Sequence, residues 1–137
     1  MACQQIDLLP EVGEVARLAE WVEQRGKTEG LSADLVFKLT LVLEEAVMNA
    51  IAHGFVGMPP PHAISVRLDI GHDTVLAEVA DNGRPFDPTI AAPPDLASPV
   101  EERDPGGLGI HLMRTMMDRV EYRRDGGRNR LRLEKCR

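Results

Sequence analysis

Residues 32–53 constrain this chain more than any other stretch, because they carry an apolar face too broad for a solvated helix. At about 100° per residue, Val36, Leu39, Leu43, Ala46, Val47, Ala50 and Ile51 fall on one side. That pattern predicts a core helix opened by Ser32. On the other side Glu45, Asn49 and His53 recur every four residues, so a carboxylate, an amide and an imidazole stand in one row. Two readings fit the row: the solvated side of an amphipathic helix, or three groups that meet one ligand. A carboxylate can act as a general base and an amide oxygen suits Mg²⁺ beside phosphates, so the second reading would favour phosphoryl chemistry.

Other elements follow from periodicity. Residues 11–25 place Val12, Val15, Leu18, Ala19 and Val22 at helical spacing. Ile64, Val66, Leu68 and Ile70 alternate with Ser65, Arg67 and Asp69, and Gly71-His-Asp73 turns the chain into residues 74–80, which predicts a β-hairpin. A third helix fits residues 108–117, and residues 119–124 and 129–134 form a second hairpin around Asp125-Gly-Gly127. Helices first, then a sheet with one helix inserted, spell an α+β fold. A length of 137 residues suits a single domain, residues 1–137. Six of the ten prolines lie in residues 84–105, so that stretch reads as a long irregular connection, the kind that often serves as a lid.

Composition removes several classes of function. A net charge of -6 argues against direct nucleic-acid binding, which needs a basic surface. Basic residues do gather between Arg114 and Arg132, but Asp118, Glu121 and Asp125 are interleaved with them, as on a solvated face. No apolar run approaches the roughly 20 residues needed to span a bilayer, so no membrane association is expected. The first residues lack the pattern of a secretory leader, which makes a cytoplasmic location the expectation. Cys3 and Cys136, at opposite ends and without ligand spacing, read as free thiols.

Two glycine-bearing segments complete the inventory. Asp81-Asn-Gly83 sits at a strand end, where it is either a favourable turn or a carboxylate offered to a ligand. Gly106-Gly-Leu-Gly109 runs into the third helix, either as a hinge or as a set of backbone amides that could receive phosphates. It matches neither the dinucleotide fingerprint nor a P-loop.

In this order, Glu45-Ala-Val-Met-Asn49-Ala-Ile-Ala-His53-Gly, Asp81-Asn-Gly83-Arg-Pro-Phe-Asp-Pro88 and Gly106-Gly-Leu-Gly109-Ile-His-Leu-Met-Arg resemble the three nucleotide boxes of the GHKL ATPase superfamily. Within it, the anti-sigma-factor serine kinases are most similar, over about residues 6–135. The resemblance implies a two-layer α/β sandwich of the Bergerat type, with a mixed, mainly antiparallel sheet and helices on one face. It implies ATP and Mg²⁺ as cofactors. Glu45 matches the general base and Asn49 the Mg²⁺-side residue, with His53 extending the row towards the phosphates. Asp81 matches the carboxylate that accepts from the adenine amino group, and Gly83 lets the chain pass close to the base. Gly106, Gly107, Leu108, Gly109 and Ile110 match the lid-hinge segment at the phosphates. Related ATPases often carry Thr on the final hairpin; Asn129 occupies the matching stretch here and is the candidate base contact there. The implied function is phosphorylation of a serine on a STAS-type anti-anti-sigma protein, alternating with sequestration of a sigma factor, in a chain that forms a homodimer. A non-catalytic nucleotide switch is the alternative. A histidine-kinase catalytic domain is a third reading, and it fits less well because the early helix carries no histidine.

Overall fold

The computed structural model describes residues 2–90 and 105–137, and the side chains of these except residues 2 and 105–108. Residues 91–104 of the lid-like connection expected at 84–105, and the side chain of Leu108, lie outside the described residues. The chain runs β1 (Ala2–Leu8), α1 (Glu14–Glu29), α2 (Ala33–Asn49), a π-helical turn (Ala50–Gly54), β2 (Ile64–Ile70), β3 (Thr74–Asp81), a 3₁₀ turn (Pro88–Ile90), α3 (Pro105–Met116), β4 (Arg119–Asp125) and β5 (Arg128–Cys136). The five strands form one sheet in the order β1-β2-β3-β5-β4.

Every strand pair is antiparallel, in line with the mainly antiparallel sheet expected, and no parallel pair makes it mixed among the described residues. The connections explain it. Two helices joined by a short turn carry the chain from β1 back to the end it left, so β2 returns against β1. One helix and one strand do the same between β3 and β5. Strand β1 was not foreseen: only Ile6 and Leu8 mark its inner face, and its pairing with β2 makes it an edge strand. Helix α1 begins at Glu14, later than its apolar spacing suggests, and Val12 lies outside it at 61% exposure.

Local chemistry sets the element ends. Gly30 ends α1 in the left-handed region, with φ 71°, a conformation that costs glycine little. Ser32 then caps α2, its Oγ accepting from the Leu35 N–H at 3.1 Å. Gly126 and Gly127, both at positive φ, make the two-residue turn between β4 and β5.

The core forms between the helices and the inner sheet face. Leu18 and Val22 of α1, Leu39, Leu43 and Val47 of α2, and Ile110 and Met113 of α3 pack against Ile64, Val66 and Leu68 of β2, Val75, Ala77 and Val79 of β3, and Leu131 and Leu133 of β5. The outer face is charged and internally compensated, with Arg130 on Glu78 at 2.9 Å and Arg119 on Glu121 at 2.6 Å. Of the late basic residues, Arg119, Arg123 and Arg130 are thus paired with acidic neighbours. Among the described residues no helix is long and apolar enough to cross a membrane, and Cys3 and Cys136 are free and exposed.

Leu43 is fully buried at the middle of α2. Leu43→Ala is expected to lower unfolding stability by about 2–5 kcal/mol, read as a lower denaturant midpoint at unchanged slope. A loss below about 1 kcal/mol would show that α2 does not carry the core.

Candidate nucleotide site

The site forms where α2 ends over the inner sheet face. Strand alternation turns Val75, Ala77, Val79 and Asp81 inward on β3, so the last inward position holds a carboxylate. On β5 the inward residues are Asn129, Leu131 and Leu133. Register sets Asp81 directly opposite Asn129, and the two are only 7% and 5% exposed. Asp81 Oδ1 accepts from the Gly83 N–H at 2.9 Å and from Asn129 Nδ2 at 3.0 Å. The turn reading of Asp81-Asn-Gly83 and the ligand reading therefore coexist, because only one carboxylate oxygen is used by the turn. Asn82 serves the fold: its Oδ1 accepts from the Ala63 N–H at 2.8 Å and its Nδ2 donates to the Pro61 carbonyl at 2.9 Å.

A narrow cleft of about 30 Å³ opens above this pair. Ala46, Ala50, Val79, Pro88, Leu131, Phe86 and Tyr122 supply its apolar and aromatic walls, and Asn49, Asp81 and Asn129 its polar side chains, with Gly54 at the edge. A mostly apolar lining with a few convergent polar groups is the usual character of small-molecule sites. Asn49 Nδ2 is buried with no hydrogen-bond partner among the described residues. A buried N–H left unpaired is costly, so a ligand acceptor that engages this donor would relieve a real deficit.

The row of three on α2 is not a solvated face, and it does not stay a row. Glu45 is half-buried and Asn49 lines the cleft. Beyond Asn49 the helix widens into the π-helical turn, which rotates His53 out of phase. Its ring stacks on Phe86, centroids 5.5 Å apart, and it is not part of the cleft wall. The turn leaves the carbonyls of His53 and Gly54 to the loop after β3. Arg84 Nε donates to the first at 3.0 Å, and the Arg84 N–H to the second at 2.7 Å. A Cβ on Gly83 would lie 2.6 Å from the Gly54 carbonyl carbon and 2.9 Å from Asp81 Oδ1, so only glycine fits this crossing.

The glycine-rich segment lies in the first turns of α3, since the helix starts at Pro105, a favoured first helical residue. The N–H groups of Gly106, Gly107 and Leu108 then fall among the unpaired donors of a helix start. A Cβ on Gly109 would collide with the Glu45 carboxylate, so Gly109 is what lets Glu45 stand against α3. Ile110, 1% exposed, is a core residue. Burial pushes the Glu45 carboxyl above its ordinary value.

Sequence reasoning singled out Asn49, Asp81 and Asn129, which the cleft brings together, but not Phe86, Pro88 or Tyr122. A lone phenylalanine between two prolines, and the only tyrosine at an inward position of the last hairpin, were the available signals.

With this geometry established, the family model described as the histidine kinase-like ATPase domain matches residues 8–135. The chain belongs to that family. Among its relatives is the serine/threonine-protein kinase BtrW of Bordetella bronchiseptica, 37% identical over 115 residues that cover 82% of this chain and 79% of the relative. Another is the serine-protein kinase RsbW of Listeria monocytogenes, 30% identical over 127 residues, 90% of this chain and 79% of the relative. The fold also matches the RsbU and RsbW domains of Rv1364c from Mycobacterium tuberculosis, with a TM-score of 0.71 over 100% of this chain and 33% of that one, at 14% identity. That likeness concerns the fold alone.

Two outcomes follow. Gly83→Ala is expected to lower stability by about 1–3 kcal/mol, because the contact it creates is with backbone; an unchanged melting temperature would contradict the close crossing. Glu45 lowers stability as it ionises: its contribution is full below the ordinary glutamate value of about 4.3 and is lost as pH rises through its raised folded value. Glu45→Gln is therefore expected to be more stable than the parent at neutral pH, with a flatter pH–stability curve above about pH 4.3. Parallel curves for the two proteins would contradict the raised value.

Proposed function

We propose that this protein is an ATP- and Mg²⁺-dependent serine kinase that acts on a STAS-type anti-anti-sigma protein and sequesters a sigma factor when that partner is not available. The observation that carries the reading is the Glu45–Gly109 contact, which sets a desolvated carboxylate beside the helix start that follows the cleft. Identity of 37% to a serine/threonine-protein kinase supports the same chemistry. Cytoplasmic residence and a homodimeric state belong to this proposal.

In it, Asp81 accepts a hydrogen bond from the exocyclic amino group of adenine, which guanine replaces with an oxygen. Gly83 keeps the chain clear of the base, and Phe86 and Tyr122 wall the cleft around it. The unpaired backbone donors at Gly106, Gly107 and Leu108 receive phosphate oxygens. The Asn49 amide oxygen, a hard ligand, would help hold a Mg²⁺ ion beside those phosphates, and its unpartnered Nδ2, a donor, would suit a phosphate oxygen. Bound there, the ion would neutralise charge that develops during phosphoryl transfer. Glu45 takes the proton from the substrate serine hydroxyl, and its burial brings its basicity nearer to that of a working base at neutral pH. Positioning and charge neutralisation supply most of phosphoryl-transfer catalysis, so this small set of groups suffices.

Incubation with labelled ATP and a panel of STAS proteins tests the proposal. The parent is expected to form phosphoserine on one of them, and Glu45→Ala to be slower by about 10²–10⁴ while ATP affinity changes little. Nucleotide binding with no phosphoserine on any partner, or full activity in Glu45→Ala, would contradict it and leave a nucleotide-set binding switch.

A further inference from the structure

Asn129 is the most heavily bonded side chain at the cleft. Its Nδ2 donates to Asp81 Oδ1 at 3.0 Å and to the Arg84 carbonyl at 2.7 Å. Its Oδ1 accepts from the Phe86 N–H at 3.2 Å, the Tyr122 hydroxyl at 2.5 Å and Arg124 Nη1 at 3.2 Å. The network fixes which end of the amide is which. Turned over, the oxygen would face two acceptors and the nitrogen three donors. Both amide hydrogens and the oxygen are thereby consumed within the protein, and no donor remains for a base.

We propose that Asn129 is a positioning residue that acts on the nucleotide through Asp81, selecting 6-amino over 6-oxo purines without touching the base. The inference rests on the nucleotide reading of the cleft given above. A carboxylate swings easily about its last side-chain torsion, which has broad wells. Here Oδ1 is held from two sides, by the Gly83 N–H and by Asn129 Nδ2, while Oδ2 accepts nothing among the described residues. Fixing Oδ1 fixes Oδ2, the atom left to accept a hydrogen bond from an amino group. A 6-oxo purine sets an oxygen against that atom, and a carboxylate that cannot turn aside cannot adapt to it. The bonds from Tyr122 and Arg124 on β4 keep Asn129 from following the ligand. Arg124 also donates to the Gly83 carbonyl at 2.8 Å, so the glycine side of Asp81 is held by the same strand.

The test compares ATP with inosine triphosphate, which differs from it at the 6-position of the purine, by calorimetric titration of the full chain. Asn129→Leu, similar in size and without a donor, is expected to narrow the preference for ATP about tenfold or more, mostly through weaker ATP binding. Asn129→Thr keeps one hydroxyl donor and is expected to restore the preference to within about threefold of the parent. An unchanged preference in Asn129→Leu overturns the inference, and so does an equal loss for both nucleotides, the signature of a merely structural role. The parent chain provides a second measurement should Asn129→Leu not fold. With ADP bound, the Asn129 side-chain amide protons are expected to show no nuclear Overhauser effect to adenine protons; a clear one would mean direct contact and overturn the inference. If the parent binds neither nucleotide, the nucleotide reading itself fails and this inference with it.

Discussion

Asp81 is a carboxylate carried into the interior at the last inward position of β3, and a buried charge is tolerable only if its surroundings supply hydrogen bonds. Here they come from the Gly83 N–H and from Asn129, its cross-strand neighbour. Each donor recruits further structure. Gly83 needs the close crossing over Gly54, and Asn129 needs Tyr122, Arg124 and the backbone of Arg84 and Phe86 to satisfy its own amide. The loop after β3, the last hairpin and the end of α2 thus converge on one side chain. A cleft with a fixed acceptor at its floor follows from that convergence.

Helix α2 serves two masters along its length. Leu39, Leu43 and Val47 hold the core, while Glu45 and Asn49, a turn apart, keep polar groups where burial disfavours them. The desolvated Glu45 carboxyl and the unpartnered Asn49 amide both cost stability in the absence of a ligand. Local rules broken within one turn of each other, in an otherwise consistent helix, are the usual mark of a functional site. The π-helical turn that follows belongs to the same arrangement, since it leaves two carbonyls for Arg84 to bind and so anchors the loop that carries Gly83.

Much of this was legible in the sequence. The apolar face of residues 32–53 names its core positions, and both hairpins can be read from alternation and from Asp125-Gly-Gly127, whose two glycines both take positive φ. What escaped depends on partners distant in the chain. Strand β1 has only Ile6 and Leu8 on its inner face, too short an alternation to declare itself without β2 beside it. His53 leaves its expected row because the helix widens into a π-helical turn there, which a spacing rule of 3.6 residues does not anticipate. Gly109 looks like a hinge in the sequence; that its missing Cβ makes room for Glu45 can be known only once α2 and α3 are packed together. The bonding of Asn129 likewise depends on β3–β5 register, which sets residues 48 positions apart in contact.

The central claim is that the cleft over Asp81 binds adenine nucleotides. Calorimetric titration of the parent protein with ATP, ADP and GTP, each with and without Mg²⁺, tests it most directly. The account predicts that ATP and ADP bind, that GTP binds far more weakly, and that Mg²⁺ tightens ATP. Failure to bind ATP, or equal affinity for ATP and GTP, would contradict it.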